Sequence, residues 1–159
     1  GNSNIVRAMP NSPADLGMGM TGFTASKALS VEQVHKAENL LATTGRAVFF
    51  EDEDLIDSCT AISGSGPAYF FYIVKNMIDA GVKLGLDEAT SAILVKQTML
   101  GSYHLMNTSD KSLDELIKAV ASKGGTTEAA LNSFNENNVG GNLQKGLERA
   151  RDRARELSK

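Results

Sequence analysis

Ser122-Lys123-Gly124-Gly125-Thr126-Thr127 closes one stretch of helical pattern and opens the next. Amides at a helix start have no partner in a preceding turn and carry the positive end of the helix dipole, so they attract anions. Two glycines let a carboxylate approach closely, and a Thr hydroxyl can donate to a ligand nitrogen or oxygen. The same residues also spell an ordinary cap, with a Thr hydroxyl satisfying a backbone amide, and spacing alone favours that reading. Ser63-Gly64-Ser65-Gly66-Pro67 likewise runs into a helix. It reads equally as an anion site and as a place of tight chain packing.

The other chemically suggestive strings point to no particular site. Gly17-Met18-Gly19-Met20-Thr21-Gly22 matches G-x-G-x-x-G. A dinucleotide fingerprint needs a strand before it, a helix at its third glycine and an acid further on. Here Pro10 and Pro13 precede it and extended-looking Phe23 to Lys27 follows, so a flexible loop is expected. Glu51, Asp52, Glu53, Asp54 and Asp57 read as a solvated acidic run, one member of which could meet a cationic substrate. His35 and His104 have no second ligand at metal spacing, so no metal site is expected. Cys59 falls on an apolar helical stripe, as a buried structural thiol. Arg149, Arg151, Arg153 and Arg155 alternate with Glu148, Asp152 and Glu156, a solvated helix face.

These strings need elements to hold them. A short strand, Asn4 to Met9, stops at Pro10-Asn11-Ser12-Pro13. Ser30 to Gln33 has capping-box spacing and starts a helix that runs to Gly45. Ala47 to Phe50 fits a strand or a buried turn of helix. Leu55, Cys59 and Ile62 predict a helix ending at Gly64. From about residue 62 the pattern is helical almost throughout. Pro67 begins a helix striped by Phe70, Val74, Met77, Gly81 and Leu84, and Gly85 ends it. Asp87 caps a helix apolar on most sides, and Ser112 with Glu115 forms a capping box. Thr126 or Thr127 starts another helix, Gly140-Gly141 ends it, and Asn142 caps the last one. The long apolar stripes need cover, from each other or from a second subunit.

The bulk numbers exclude several classes. The chain has 159 residues, enough for one domain or a little more. Its 42% hydrophobic content excludes a disordered chain, and one Cys excludes a disulfide framework. A net charge of -3 argues against a nucleic-acid surface, and no apolar run is long enough to span a membrane. A soluble, cytoplasmic protein is expected. The start Gly1-Asn2-Ser3, without an initiator Met, suggests a piece of a longer polypeptide.

Taken together, the motifs resemble the pyrroline-5-carboxylate reductase family. Arg7-Ala8-Met9-Pro10-Asn11-Ser12-Pro13-Ala14 is similar to the segment that crosses from the nucleotide domain toward the active site. Asp54-Leu55-Ile56-Asp57 and Ser63-Gly64-Ser65-Gly66-Pro67-Ala68-Tyr69 look like the next landmarks. Leu113 to Asn135 resembles the family signature, with Gly124-Gly125-x-Thr127, Ala130-Leu131 and Phe134 in register.

The resemblance implies a mainly α fold. A helical dimerisation domain, like the C-terminal domain of 6-phosphogluconate dehydrogenases, would occupy 53–159. The remnant of a Rossmann nucleotide-binding domain, a few strands and a helix, would occupy 1–52. It implies NADPH- or NADH-dependent reduction of 1-pyrroline-5-carboxylate to L-proline, with the main cofactor domain outside this chain. It implies a homodimer, often built into a ring such as a decamer. On matching positions, Gly125 and Thr126 would bind the substrate carboxylate and Thr127 the ring nitrogen, within the loop that also holds Ser122 and Gly124. Glu53, Ser65 and Gly66 would lie near the substrate, and Met9, Pro10 and Asn11 would flank the nicotinamide. Lys123 stands where relatives often have Pro, Ser12 where Thr is commoner, and Ala119 where some members use Asn to reach the partner's cofactor. The competing readings are a non-catalytic helical assembly module and a related two-domain reductase of another small imine or keto acid.

Overall fold

A computed structural model describes residues 3–158; Gly1, Asn2 and Lys159, and with them the start Gly1-Asn2, lie outside the described residues. The fold is mainly helical, with a three-stranded sheet near the start. The chain forms two compact units, 1–70 with 144–159, and 71–143.

The first unit holds β1 (Val6–Met9), β2 (Gly19–Ala25) and β3 (Gly45–Phe49) in the order β1-β2-β3. β1 pairs antiparallel with β2, and β2 parallel with β3. A parallel neighbour needs a crossover, supplied by α1 (Val31–Leu41). Ser30 and Gln33 close the predicted capping box. Phe23 is fully buried, and its ring lies 5.3 Å from that of Phe49. The expected loop at Gly17 to Gly22 is largely strand. Gly19 faces Gly45 and Gly22 faces Val48 along the parallel ladder. The lack of side chains that made this stretch read as a loop is what lets it pass close to Ala14, Gly45 and Cys59. No helix opens at Gly22, so the dinucleotide fingerprint is absent there.

The helix expected from Leu55 to Gly64 is split. α2 (Leu55–Cys59) widens into a wider turn, Thr60–Gly64, closed by the Ser65 amide donating to the Thr60 carbonyl at 2.8 Å. α3 (Gly66–Lys83) follows, with Pro67 in its first turn.

In the second unit, α3 continues, and α4 (Glu88–Thr108) and α5 (Leu113–Val120) are capped by Asp87 and Ser112 as predicted. Bonds from Thr90 hold the Asp87 carboxyl below its ordinary range, and bonds from Ser112 do the same for Glu115. Gly81 of α3 leaves room for the buried Ser91 of α4. Large apolar side chains stay exposed on both helices, among them Phe71, Tyr72, Ile93 and Leu94. α6 (Thr126–Glu136) ends earlier than expected, and α7 begins at Val139 and runs to Leu157. The break is made by Asn137 and Asn138, the latter at φ 50, while Gly140, Gly141 and Asn142 lie inside α7. Asparagine tolerates the left-handed region, so it ends a helix where glycine was expected to.

Candidate functional site

The first unit gathers several predicted residues around the start of β2. Asn11 follows β1, and its side-chain oxygen accepts from the Met20 amide at 2.9 Å. Its amide nitrogen donates to the Ser63 carbonyl at 3.2 Å. Asn11 therefore ties the strand pair to the wide turn that carries Ser63 and is followed by Ser65. Met9 packs against Gly64, where an added Cβ would push the end of the Met9 side chain aside. Close packing against Met9 is thus present at Gly64. It does not account for Gly66, which is buried yet would admit a Cβ without contact. Pro10 is exposed beside them. Cys59 lines an apolar hollow of about 380 Å³ with Met20, Val48, Phe50 and Ile62, and burial pushes its thiol up.

Glu53 is an ion-pair partner of Arg7 at 3.2 Å. The same guanidinium meets Asp57 at 3.1 Å and donates to Ser158 Oγ at 3.1 Å. Ser158 in turn donates to Asp57 at 3.1 Å. Asp57 is only 7% exposed, and these two donors supply the hydrogen-bond partners that a buried carboxylate needs. This cluster joins β1, α2 and the end of α7, and the sequence reading missed it because its members lie 50 and 101 residues apart. Arg7→Met is expected to destabilise the chain by about 1–3 kcal/mol, less than for a fully buried pair because Arg7 is part exposed. Glu53→Gln, at an exposed pair, should change stability by under about 0.5 kcal/mol. Chemical unfolding at fixed chain concentration checks both, and an unchanged midpoint for Arg7→Met would remove the cluster from stability.

The second unit holds Ser122 to Thr127. Gly124 adopts φ 73, a left-handed turn that favours glycine. Gly125 is the N-cap of α6 and has no side chain to cap with. Its own amide donates to the Ser122 carbonyl at 3.0 Å, and its Cα is packed so closely on Ser122 that a Cβ would strike that residue. The amides of Thr126 and Thr127 have no acceptor among the described residues. Thr127 is half-buried and lines a mostly apolar hollow of about 300 Å³ with Leu113, Ile117 and Leu131. Glu128, which the sequence reading did not single out, accepts from the Gly124 amide at 2.7 Å. The arrangement offers three open amides, those of Thr126, Thr127 and Glu128, and a hydroxyl at a dipole-positive helix start, which suits a small carboxylate with a polar neighbouring atom.

A dinucleotide asks for more than this chain shows. The described residues hold no strand–glycine turn–helix unit for a pyrophosphate. Among them no three His, Cys, Asp or Glu side chains come together as a metal site. No helix among them is long and apolar enough to cross a membrane.

Comparison with known proteins adds a second line. Residues 53–157 match the family model described as pyrroline-5-carboxylate reductase dimerisation. The chain is 43% identical over 154 residues to the pyrroline-5-carboxylate reductase of Pseudomonas aeruginosa, covering 97% of this chain and 56% of that protein. It is 39% identical over 155 residues to the same-named protein of Haemophilus influenzae, covering 97% and 57%. Among solved structures, a pyrroline-5-carboxylate reductase from Coxiella burnetii superposes with TM-score 0.91 at 38% identity, over 98% of this chain and 58% of that one. The Plasmodium falciparum pyrroline carboxylate reductase, solved with NADP bound, gives TM-score 0.92 at 31% identity, over 98% and 59%. The chain thus spans little more than half the length of these relatives.

Proposed function

The chain belongs to the pyrroline-5-carboxylate reductase family, and from that premise we propose that it is the substrate-binding and dimerising part of an enzyme that reduces 1-pyrroline-5-carboxylate to L-proline. The observation that carries this is the start of α6, where a glycine cap leaves the Thr126 and Thr127 amides open beside a hydroxyl. The substrate is a small ring bearing a carboxylate and an imine nitrogen, and both can be met there. The Thr126 and Thr127 amides hold the carboxylate, because the Gly125 amide already donates to the Ser122 carbonyl. The Thr127 hydroxyl bonds the ring nitrogen and stabilises the charge that shifts onto it as the imine is reduced. Ser122 and Gly124 shape the turn, and the apolar wall beside Thr127 takes the ring's methylenes.

Residues 1–52 read best as the end of a nucleotide-binding domain and 53–159 as the helical domain. NADPH or NADH supplies the hydride when bound. Met9, Pro10 and Asn11 fit only the nicotinamide end, since the described residues lack a pyrophosphate turn. Asn11, fixed by Met20 and Ser63, keeps that wall in place rather than moving with the ligand. Ser65, Gly66 and Glu53 border the same region of the first unit. The apolar faces of α3 and α4 support a homodimer, and rings of dimers such as a decamer follow the same reading. A cytoplasmic location goes with it.

The test compares oxidation of NADPH and NADH with 1-pyrroline-5-carboxylate by this chain and by a protein of the relatives' full length that carries it. Turnover is expected from the longer protein alone. Turnover by this chain alone would contradict the absence of a complete cofactor site. Turnover by neither would favour the assembly-module reading, and activity only on other imines or keto acids would favour a related reductase.

A further inference from the structure

We propose that Glu128 is a positioning residue for the substrate turn, setting which amides at the start of α6 face the ligand. The inference rests on the substrate reading given above. In a complete capping box the N-cap side chain takes the third helical amide and the third residue's carboxylate reaches back to the N-cap amide. α5 shows that arrangement, with Ser112 and Glu115 bonded both ways. α6 keeps only half of it. Its N-cap is Gly125, which offers no side chain, while Glu128, its third residue, reaches back one position further to Gly124.

The consequence is a division of labour among neighbouring amides. Gly124's is held by the Glu128 carboxylate at 2.7 Å, and Gly125's by the Ser122 carbonyl at 3.0 Å. Those of Thr126, Thr127 and Glu128 stay open. The ligand carboxylate thereby takes the place of the missing cap side chain. The bond to Gly124 is charge-assisted, and it anchors a residue at φ 73 that no other described side chain ties down. Glu128 also sets a negative charge close to an anion's seat, so its carboxylate holds the turn while opposing the ligand's charge. Gln keeps an acceptor oxygen for Gly124 and drops the charge, whereas Ala drops both.

The test measures kcat and KM for 1-pyrroline-5-carboxylate in the full-length enzyme, with Glu128→Ala and Glu128→Gln. Glu128→Ala is expected to raise KM about fivefold or more with kcat within about twofold, and Glu128→Gln to keep KM at or below about twice the starting value. A merely structural role would reduce the amount of folded enzyme and leave KM alone. An unchanged KM in Glu128→Ala, or Gln behaving as Ala does, overturns the proposal. Amide exchange at Gly124, followed by NMR in this chain, needs no substrate. It should quicken in Glu128→Ala and not in Glu128→Gln, and equal rates in all three proteins overturn the proposal. If the full-length enzyme fails to reduce 1-pyrroline-5-carboxylate at all, the substrate reading falls, and exchange at Gly124 alone decides whether Glu128 sets the turn.

Discussion

Thr127→Ala in the full-length enzyme is expected to lower kcat/KM at least about tenfold, a loss of roughly 1.4 kcal/mol of transition-state stabilisation. Thr127 is the second residue of α6, so its backbone is fixed by the helix and its hydroxyl stands at the positive end of the dipole. The helix does not need that hydroxyl, because the cap position belongs to Gly125 and no capping bond comes from a side chain. Thr127→Ala should therefore leave thermal stability within about 0.5 kcal/mol, which separates a chemical loss from a folding one. The loss should fall mainly on kcat, because the proposed bond to the ring nitrogen would strengthen as that nitrogen gains electron density. Thr127→Ser keeps the donor, and its kcat/KM should stay within about threefold of the starting value. Steady-state kinetics on the three proteins decide it. Unchanged kinetics in Thr127→Ala would remove Thr127 from the mechanism.

The helix starts show where the sequence is informative. Helix starts are local events, decided by three or four adjacent residues, and Ser30, Asp87 and Ser112 each cap the helix that their spacing predicts. The glycine turn at Gly124 is local in the same sense. Where the reading failed, a distant partner or an alternative residue decided the outcome. Gly19 and Gly22 are poor strand formers, and their stretch becomes strand because β3 and Cys59 come close to its backbone. Thr60–Gly64 carries a helical pattern, yet the wide turn shifts it by a residue so that Ser63 meets Asn11. α7 starts at Val139 because Asn138 took the left-handed position that two glycines downstream seemed made for. Arg7, Asp57 and Ser158 meet only through the fold. Glu128 escaped notice because a Glu at the third helical position is unremarkable unless its cap partner is missing, and a glycine at the cap does not announce that absence.

Gly45→Ala tests how strictly the sheet of the first unit depends on such long-range contacts, and it should lower stability more than Arg7→Met, Glu53→Gln or Thr127→Ala. Gly45 opens β3 at φ 147 and ψ -113, a region reserved in practice for glycine. A Cβ there would run into the backbone of Gly19, its partner on β2, including that residue's nitrogen and carbonyl oxygen. Backbone atoms cannot swing aside as a flexible side chain can, so relief means parting the two strands at the head of their ladder. Strain and clash together are expected to destabilise the chain by about 3 kcal/mol or more. At about 2–4 °C per kcal/mol, Tm should fall by roughly 10 °C. Gly17→Ala supplies the comparison. Gly17 has φ 69, but nothing lies within 4 Å of the added carbon, so strain acts alone and about 1 kcal/mol is expected. If the two variants melt together, the approach of Gly19 to Gly45 carries no stability of its own. If Gly45→Ala melts far lower, the sheet that holds Asn11 and Met9 against the wide turn depends on a contact only glycine permits.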